Sequence, residues 1–283
     1  MIDIQKVHEI DLMLLDKFIE VCDEYNLRWF ADSGTLLGAI RKGEMIPWDD
    51  DIDVIMPRKD YNKLLQIANK AFKTPFFFQS PLSDKYWNPT CKLRYDNSAF
   101  FSADKYSRNE YDNICHRGIF IDIFVFDNVP EDAEKFETIQ EFLRFMFCFS
   151  SIKKYGTTDF KEKYDAKEVF KFMNDSITEL SIENLKSNYV ANLFFNYQRK
   201  YRNFKISKAA YSSYKEIDFK GLKHKLRIPI GYEEILKLWY GDDWRVEKKI
   251  NSTHGVGAAF YDTENSYKKY DFLSFKEYIK LFN

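Results

Sequence analysis

What this sequence lacks narrows its function before any motif is read. Its four cysteines, Cys22, Cys91, Cys115 and Cys148, include no C-x-x-C pair. A zinc site is therefore not expected, and free thiols in a reducing compartment are the simplest reading. An excess of one charge is also missing: 43 Lys and Arg against 44 Asp and Glu leave a formal net charge of −1. A nucleic-acid binder would carry a basic surplus, so no nucleic-acid partner is expected. The first residues show no basic segment followed by an apolar run, so no signal peptide is expected. The longest apolar stretch, Phe142 to Phe149, is interrupted by Arg144 and is far too short to cross a bilayer. It reads as a buried helix, with membrane contact peripheral at most. These absences favour a cytoplasmic location, extending to the inner face of the membrane.

What is present is a large core and many rings. Hydrophobic residues make up 45% of the chain and aromatic residues 18%. The rings suit a core, a sugar-stacking surface or a cation cage, without choosing among them. No internal repeat or low-complexity linker divides the 283 residues, so 1–130 and 131–283 are read as two lobes.

Periodicity gives the outline. Ile4, Val7, Ile10, Leu14, Phe18, Val21 and Tyr25 recur at helical spacing and predict a helix over 3–26. Arg28 to Ala31 reads as a strand. Ser33-Gly34-Thr35 reads as a tight turn before a short helix, with Lys42-Gly43-Glu44 as a second turn. A strand at 51–56 ends at Pro57, and Arg58 to Phe72 is a second helix. Phe76 to Gln79, Pro89 to Tyr95 and the near-continuous apolar run Ile119 to Phe126 are further strands. Beyond Pro130 the texture turns helical, starting with 131–151, and a later helix covers 232–240.

The chemistry concentrates in Asp49-Asp50-Asp51-Ile52-Asp53, four aspartates within five residues. Asp51 and Asp53 lie two apart, so on a strand they share a face, with Ile52 and Val54 turned into a core. Crowded carboxylates repel, and a divalent cation relieves the repulsion. A solvated acidic loop would not need Trp48, Ile52, Val54, Ile55 and Met56 around it. An EF-hand loop fails on position: Val54 stands where that loop needs its central glycine, and Asp60 where it needs its closing glutamate. Asp122 sits inside the apolar run 119–126, where an unpartnered carboxylate is costly. A bond to nearby backbone or an arginine would answer that cost, and a metal shared with Asp51 and Asp53 answers it better, given two more aspartates on an upstream strand. Asp127 reads as a turn residue or cap. Lys92 and Arg94 share one face of their strand, either as a solvated edge or as neutralisers of a diphosphate.

Several of these segments resemble one family. Gly-Thr-Leu-Leu-Gly-Ala-Ile-Arg from Gly34 to Arg41, Ile-Pro-Trp-Asp-Asp-Asp-Ile-Asp from Ile46 to Asp53 and Met-Pro-Arg-Lys-Asp-Tyr from Met56 to Tyr61 are similar to motifs of the LicD family of phosphocholine transferases. Fukutin and fukutin-related protein are its more distant members. Cys91-Lys92-Leu93-Arg94 resembles the family's Lys-x-Arg strand. Ile121 to Asp127 resembles its Asp-Ile-Phe-Pro-Leu-Asp element, with Val125 where proline is usual. Tyr240-Gly241-Asp242 resembles its C-terminal Tyr-Gly-Asp. Ser33 departs from the glycine usual before Gly34.

The resemblance implies an α/β fold, a nucleotidyltransferase-like mixed sheet flanked by helices; the texture beyond Pro130 adds a mainly helical C-terminal lobe, placed on the acceptor side by elimination. It implies transfer of a substituted phosphate, phosphocholine or a polyol phosphate, from a CDP-linked donor such as CDP-choline, CDP-ribitol or CDP-glycerol to a hydroxyl of a sugar or glycolipid acceptor. Mg²⁺ or Mn²⁺ would be held by Asp51, Asp53 and Asp122, which are also the catalytic set. Ser33, Gly34 and Thr35 would cradle phosphate oxygens, and Arg41, Lys92 and Arg94 would add charge-assisted contacts. Asp49 and Asp50 would orient the motif, and His254 is a weakly supported alternative base. Two other readings compete: an Asp-x-Asp sugar-nucleotide glycosyltransferase, and a non-catalytic glycan- or choline-binding module.

Overall fold

The computed structural model describes residues 3–84, 90–102, 115–143, 166–193, 204–247, 259–271 and 280–281. The longest apolar stripe of the sequence becomes α1 (Ile4–Glu24), opened by the Asp3 carboxylate, which accepts from the Gln5 N–H. The helix buries Val7, Ile10, Leu14, Phe18 and Val21 as its periodicity requires, and also Asp11 and Asp16, which periodicity alone does not explain. Asn26, with a left-handed φ of 52°, turns the chain out of the helix.

A mixed sheet stands behind α1. Its strands are β1 (Phe30–Ala31), β2 (Asp53–Pro57), β3 (Phe76–Gln79), β4 (Cys91–Tyr95) and β6 (Phe120–Val129), in the order β1-β2-β6-β4-β3. β2 runs parallel to β6, and the other neighbours along this path are antiparallel. β6 is the apolar run seen in the sequence, flanked on both sides, which is why it carries no hydrophobic alternation. α2 (Ser33–Lys42) and α3 (Arg58–Ala71) pack on β2, and α1 packs on β4 and β6.

The helix expected over 131–151 is present at 133–143, and its remainder, like the Phe142 to Phe149 run beyond Leu143, lies outside the described residues. α5 (Ala166–Glu183), the next helix among the described residues after that segment (α4), packs on β6. The C-terminal residues supply strands as well as helices. β7 (Tyr189–Ala191) extends the sheet from the far end of β6 and pairs in turn with β8 (Ile206–Ser207). β9 (Tyr214–Ile217) and β10 (Leu226–Pro229) form a hairpin against β1. α6 (Tyr232–Tyr240) leans on α2. β11 (Ala259–Asp262) returns to pair with β5 (Ala99–Ser102) of the N-terminal lobe. Among the described residues no helix is long and apolar enough to cross a membrane. Cys22, Cys91 and Cys115 are free and buried, and Cys148 lies outside the described residues.

Asp127 is neither turn nor cap. It is buried within β6, and both its oxygens accept from Arg58, Nε at 2.7 Å and Nη2 at 2.8 Å. Arg58 also reaches Asn174 of α5 at 2.7 Å. A strand-end carboxylate reads as a cap only while the strand is taken to stop there. β6 continues to Val129, so Asp127 needs a partner inside the protein. Removing one member of a buried pair strands the other charge, at a cost of roughly 3–5 kcal/mol. Arg58→Leu should therefore lower unfolding stability by about that much in urea titration. A loss under about 1 kcal/mol would mean the pair contributes no more than an exposed one.

Candidate active site

The site is built from strand register. Asp53 at the start of β2 lies directly beside Asp122 of β6, and Lys92 of β4 lies beside Asp122 on its other side. Residues in one row of a sheet point to one face, so two acids and a lysine project together. Asp51 precedes β2 rather than belonging to it, yet its carboxylate joins the group. Asp51, Asp53 and Asp122 each offer an oxygen within 4.8 Å of the others. Asp51 and Asp53 thus converge as strand alternation predicts, although of the two only Asp53 is in β2.

The loop before β2 is fastened at several points. The Thr35 hydroxyl accepts from the Asp53 N–H at 2.9 Å, and the Asp32 N–H donates to the Asp53 carbonyl at 3.1 Å. Ser33-Gly34-Thr35 opens α2 directly, with no separate turn before it. Ser33 has a left-handed φ of 47°, a conformation that glycine adopts without steric cost, which explains why glycine is usual in this place. A Cβ on Gly34 would lie 2.3 Å from Asp49 Oδ2, so only glycine lets that carboxylate approach the start of α2.

Charge at the site is unbalanced. Burial, then Asp51 and Asp122, push the Asp53 carboxyl well above its ordinary proton-binding range. Burial raises Asp32, whose backbone bonds Asp53, to about 6. Lys92 Nζ stands 2.6 Å from Asp122 Oδ1 and 3.4 Å above the Phe120 ring. Burial pulls the lysine's proton affinity down and Asp122 opposes it. One lysine does not offset three carboxylates. An all-oxygen, all-anionic donor set of this spacing fits a hard divalent cation such as Mg²⁺ or Mn²⁺.

The remaining sequence candidates are placed differently. Arg94 is buried and donates to Gln79 Oε1 at 2.5 Å and to the Gly118 carbonyl at 2.6 Å. Arg41 donates to the main-chain oxygens of Trp244 and of Val246, the latter at 2.9 Å, so it ties α2 to the segment after α6. His254 lies outside the described residues. The structure thus brings together Asp51, Asp53, Asp122 and Lys92, while Arg41 and Arg94 bond elsewhere.

A cavity of about 170 Å³ opens beside the acids, lined by Asp50, Asp51, Lys92, Phe100, Ile119, Phe120, Asp122 and Tyr261. Its aromatic wall comes from the β5–β11 pair, in which Phe100 and Tyr261 are cross-strand partners with ring centroids 5.1 Å apart. Phe120 meets Phe100 edge-on at 5.1 Å. The Tyr261 hydroxyl donates to Asp50 Oδ2, and burial with Asp50 keeps that phenol protonated. Sequence reading missed Phe100, Phe120 and Tyr261. They come from three strands, two of which meet only through a pairing of distant segments that no local pattern announces.

Residues 26–164 match the family described as LicD/FKTN/FKRP, nucleotidyltransferase domain. The chain belongs to the LicD family. It is 29% identical over 146 residues to the lipopolysaccharide cholinephosphotransferase LicD of Haemophilus influenzae, a match covering 50% of this chain and 52% of that protein. It is 26% identical over 140 residues to the uncharacterized protein RP689 of Rickettsia prowazekii, covering 50% of this chain and 47% of that one. The chain thus spans about half the length of the curated relatives it matches. The LicD segment contains Asp51, Asp53, Lys92 and Asp122, whereas Tyr261 lies beyond it.

The raised Asp53 yields a prediction with a definite sign. A carboxyl that binds its proton more tightly folded than unfolded stabilises the fold at low pH, and that stability is lost as pH rises through the folded value. At pH 7.5 without metal, Asp53→Asn should therefore melt higher than the parent chain. The advantage should shrink on acidification toward about 4, the ordinary unfolded value. An unchanged or lower melting point at pH 7.5 would contradict the charge imbalance.

Proposed function

We propose that this LicD-family chain is a transferase that moves a substituted phosphate, phosphocholine in the first instance, from a CDP-linked donor to a hydroxyl of a surface-glycan or glycolipid acceptor. The observation that carries the reading is the row Asp53–Asp122–Lys92, with Asp51 converging on it beside an aromatic cavity. Asp51, Asp53 and Asp122 would hold Mg²⁺ or Mn²⁺. The bound ion would supply charge neutralisation to a diphosphate as the transferred phosphorus changes partners.

The chain's own residues would do the rest. Lys92 would place a positive charge against a phosphate oxygen while keeping its hold on Asp122. Thr35 would fix Asp53 by receiving its backbone N–H. The acceptor oxygen attacks the phosphorus carrying the head group, a new P–O bond forms, and the bond from that phosphorus to the bridging oxygen breaks. CMP leaves with the bonding pair, and the acceptor's proton passes to water. Asp122 is engaged by Lys92, so no separate base is assigned to it.

The cavity supports choline over a polyol. Its volume of about 170 Å³ is below the roughly 300–1,000 Å³ usual for whole small-molecule ligands, so a head group fits better than a nucleotide. Lys92 and Arg94 both lie against Phe120, at 3.4 and 4.6 Å from its centroid. Phe100 and Tyr261 then offer ring surface to a quaternary ammonium, which aromatic faces attract by their quadrupole.

Three measurements test the reading. Transfer from CDP-choline to a glycan acceptor, followed by mass spectrometry, should vanish in EDTA and return with Mg²⁺ or Mn²⁺; full activity in excess chelator would reject the metal role. Asp53→Ala should abolish transfer while the circular dichroism spectrum stays native, and near-normal turnover would reject the site. In thermal-shift comparison, CDP-choline should stabilise the chain more than CDP-ribitol, CDP-glycerol or UDP-glucose. Phe100→Ala should weaken the choline donor's effect by roughly two- to tenfold in affinity, the range expected of one aromatic–cation contact. A preference for UDP-glucose would favour a glycosyltransferase instead.

A further inference from the structure

The wall of the cavity changes character along a chain of contacts. Asp122 Oδ1 accepts from Lys92 Nζ at 2.6 Å, and that ammonium stands 3.4 Å above the Phe120 ring. Phe120 meets Phe100 at 5.1 Å, Phe100 meets Tyr261 at 5.1 Å, and the Tyr261 hydroxyl donates to Asp50 Oδ2. Three rings thus stand between a cation at one end and a carboxylate at the other. The Lys92 end adjoins Asp122 of the acidic row and suits a phosphate. The Asp50 end sets a carboxylate beside two ring faces.

Asp50 is not one of the three acids of the proposed metal centre, yet it lines the cavity. It is buried, and Tyr261 fastens it from a strand that is itself fixed, since β11 pairs with β5 and sets Tyr261 opposite Phe100. A carboxylate withdrawn from water acts on a neighbouring cation more strongly than an exposed one, because less solvent screens it. Lys92 and Arg94 already lie against Phe120. A further cation entering the cavity therefore meets the faces of Phe100 and Tyr261, next to Asp50.

We propose that Asp50 is the counter-charge for a quaternary ammonium head group, and so the residue that selects a cationic group over a neutral one for transfer. The inference deepens the transferase reading and rests on it. Rings alone accept an apolar group as well as a cation, whereas a carboxylate among them distinguishes the two by charge. Asparagine in its place would still accept from the Tyr261 hydroxyl, so Asp50→Asn removes the charge and keeps the hydrogen bond.

Equilibrium binding of two donors to the full chain in Mg²⁺ tests the proposal: CDP-choline, and CDP-dimethylbutanol, in which carbon replaces the ammonium nitrogen. Both carry CDP, so any damage to the neighbouring metal centre cancels in the ratio of their affinities. The parent chain should prefer CDP-choline, and Asp50→Asn should cut that preference about tenfold. An equal loss for both donors, or no loss for either, would overturn the inference and leave the transferase reading standing, with Asp50 a support of the acidic turn. A parent chain that binds the neutral isostere as tightly as CDP-choline, or CDP-glycerol more tightly, would remove the choline assignment and this inference with it. If Asp50→Asn does not fold, a crystal of the parent chain with CDP-choline decides. The ammonium should lie between Asp50 and the faces of Phe100 and Tyr261, and an ammonium bound elsewhere would overturn the proposal.

Discussion

Mutual repulsion among carboxylates held in one row of a sheet is the constraint on which this molecule turns. Parallel pairing of β2 with β6 sets Asp53 beside Asp122, and the preceding turn adds Asp51. The apolar run of β6 cannot move Asp122 without moving its core neighbours Ile121 and Ile123, both fully buried. Lys92 compensates one acid, and burial beside Asp51 and Asp122 pushes Asp53 toward its protonated form. The site is therefore poised rather than relaxed, as expected where function draws on stability.

The fastening of that row explains much of the surrounding sequence. Gly34 is small so that the Asp49 carboxylate can approach, and Thr35 carries the hydroxyl that accepts from the first strand residue. Arg58 stands immediately after β2 and bonds Asp127 of β6, tying the two parallel strands together at the end away from the acids. The same strands thus carry a buried ion pair at one end and the acidic row at the other.

Much of this was legible in the sequence, for identifiable reasons. Asp51, Asp53 and Asp122 stood out because charge inside an apolar strand needs a partner. α1, α3 and β6 followed from long, regular patterns. Asp127 was misjudged because the strand's last residues, Phe126 to Val129, look like the approach to a turn. Alternation leaves Arg94 either at a solvated edge or against a diphosphate, because it gives a face but not a bonding partner; Gln79 and Gly118 reach it only through tertiary pairing. Tyr261 is invisible for the same reason: it reaches Asp50 from an element distant in sequence.

Those distant contributions also bear on how the lobes cooperate. Tyr261 joins the cavity through β11, and the carbonyl oxygens of Trp244 and Val246 hold Arg41 of α2. Residues outside the LicD segment are thus part of the site's construction. Anomalous diffraction at the manganese edge, from crystals soaked with Mn²⁺ and CDP-choline, tests most directly whether Asp51, Asp53 and Asp122 share a cation. The expected result is a peak within coordination distance of all three carboxylates, contacting the donor's diphosphate. Full donor density with no peak among these three residues would contradict it.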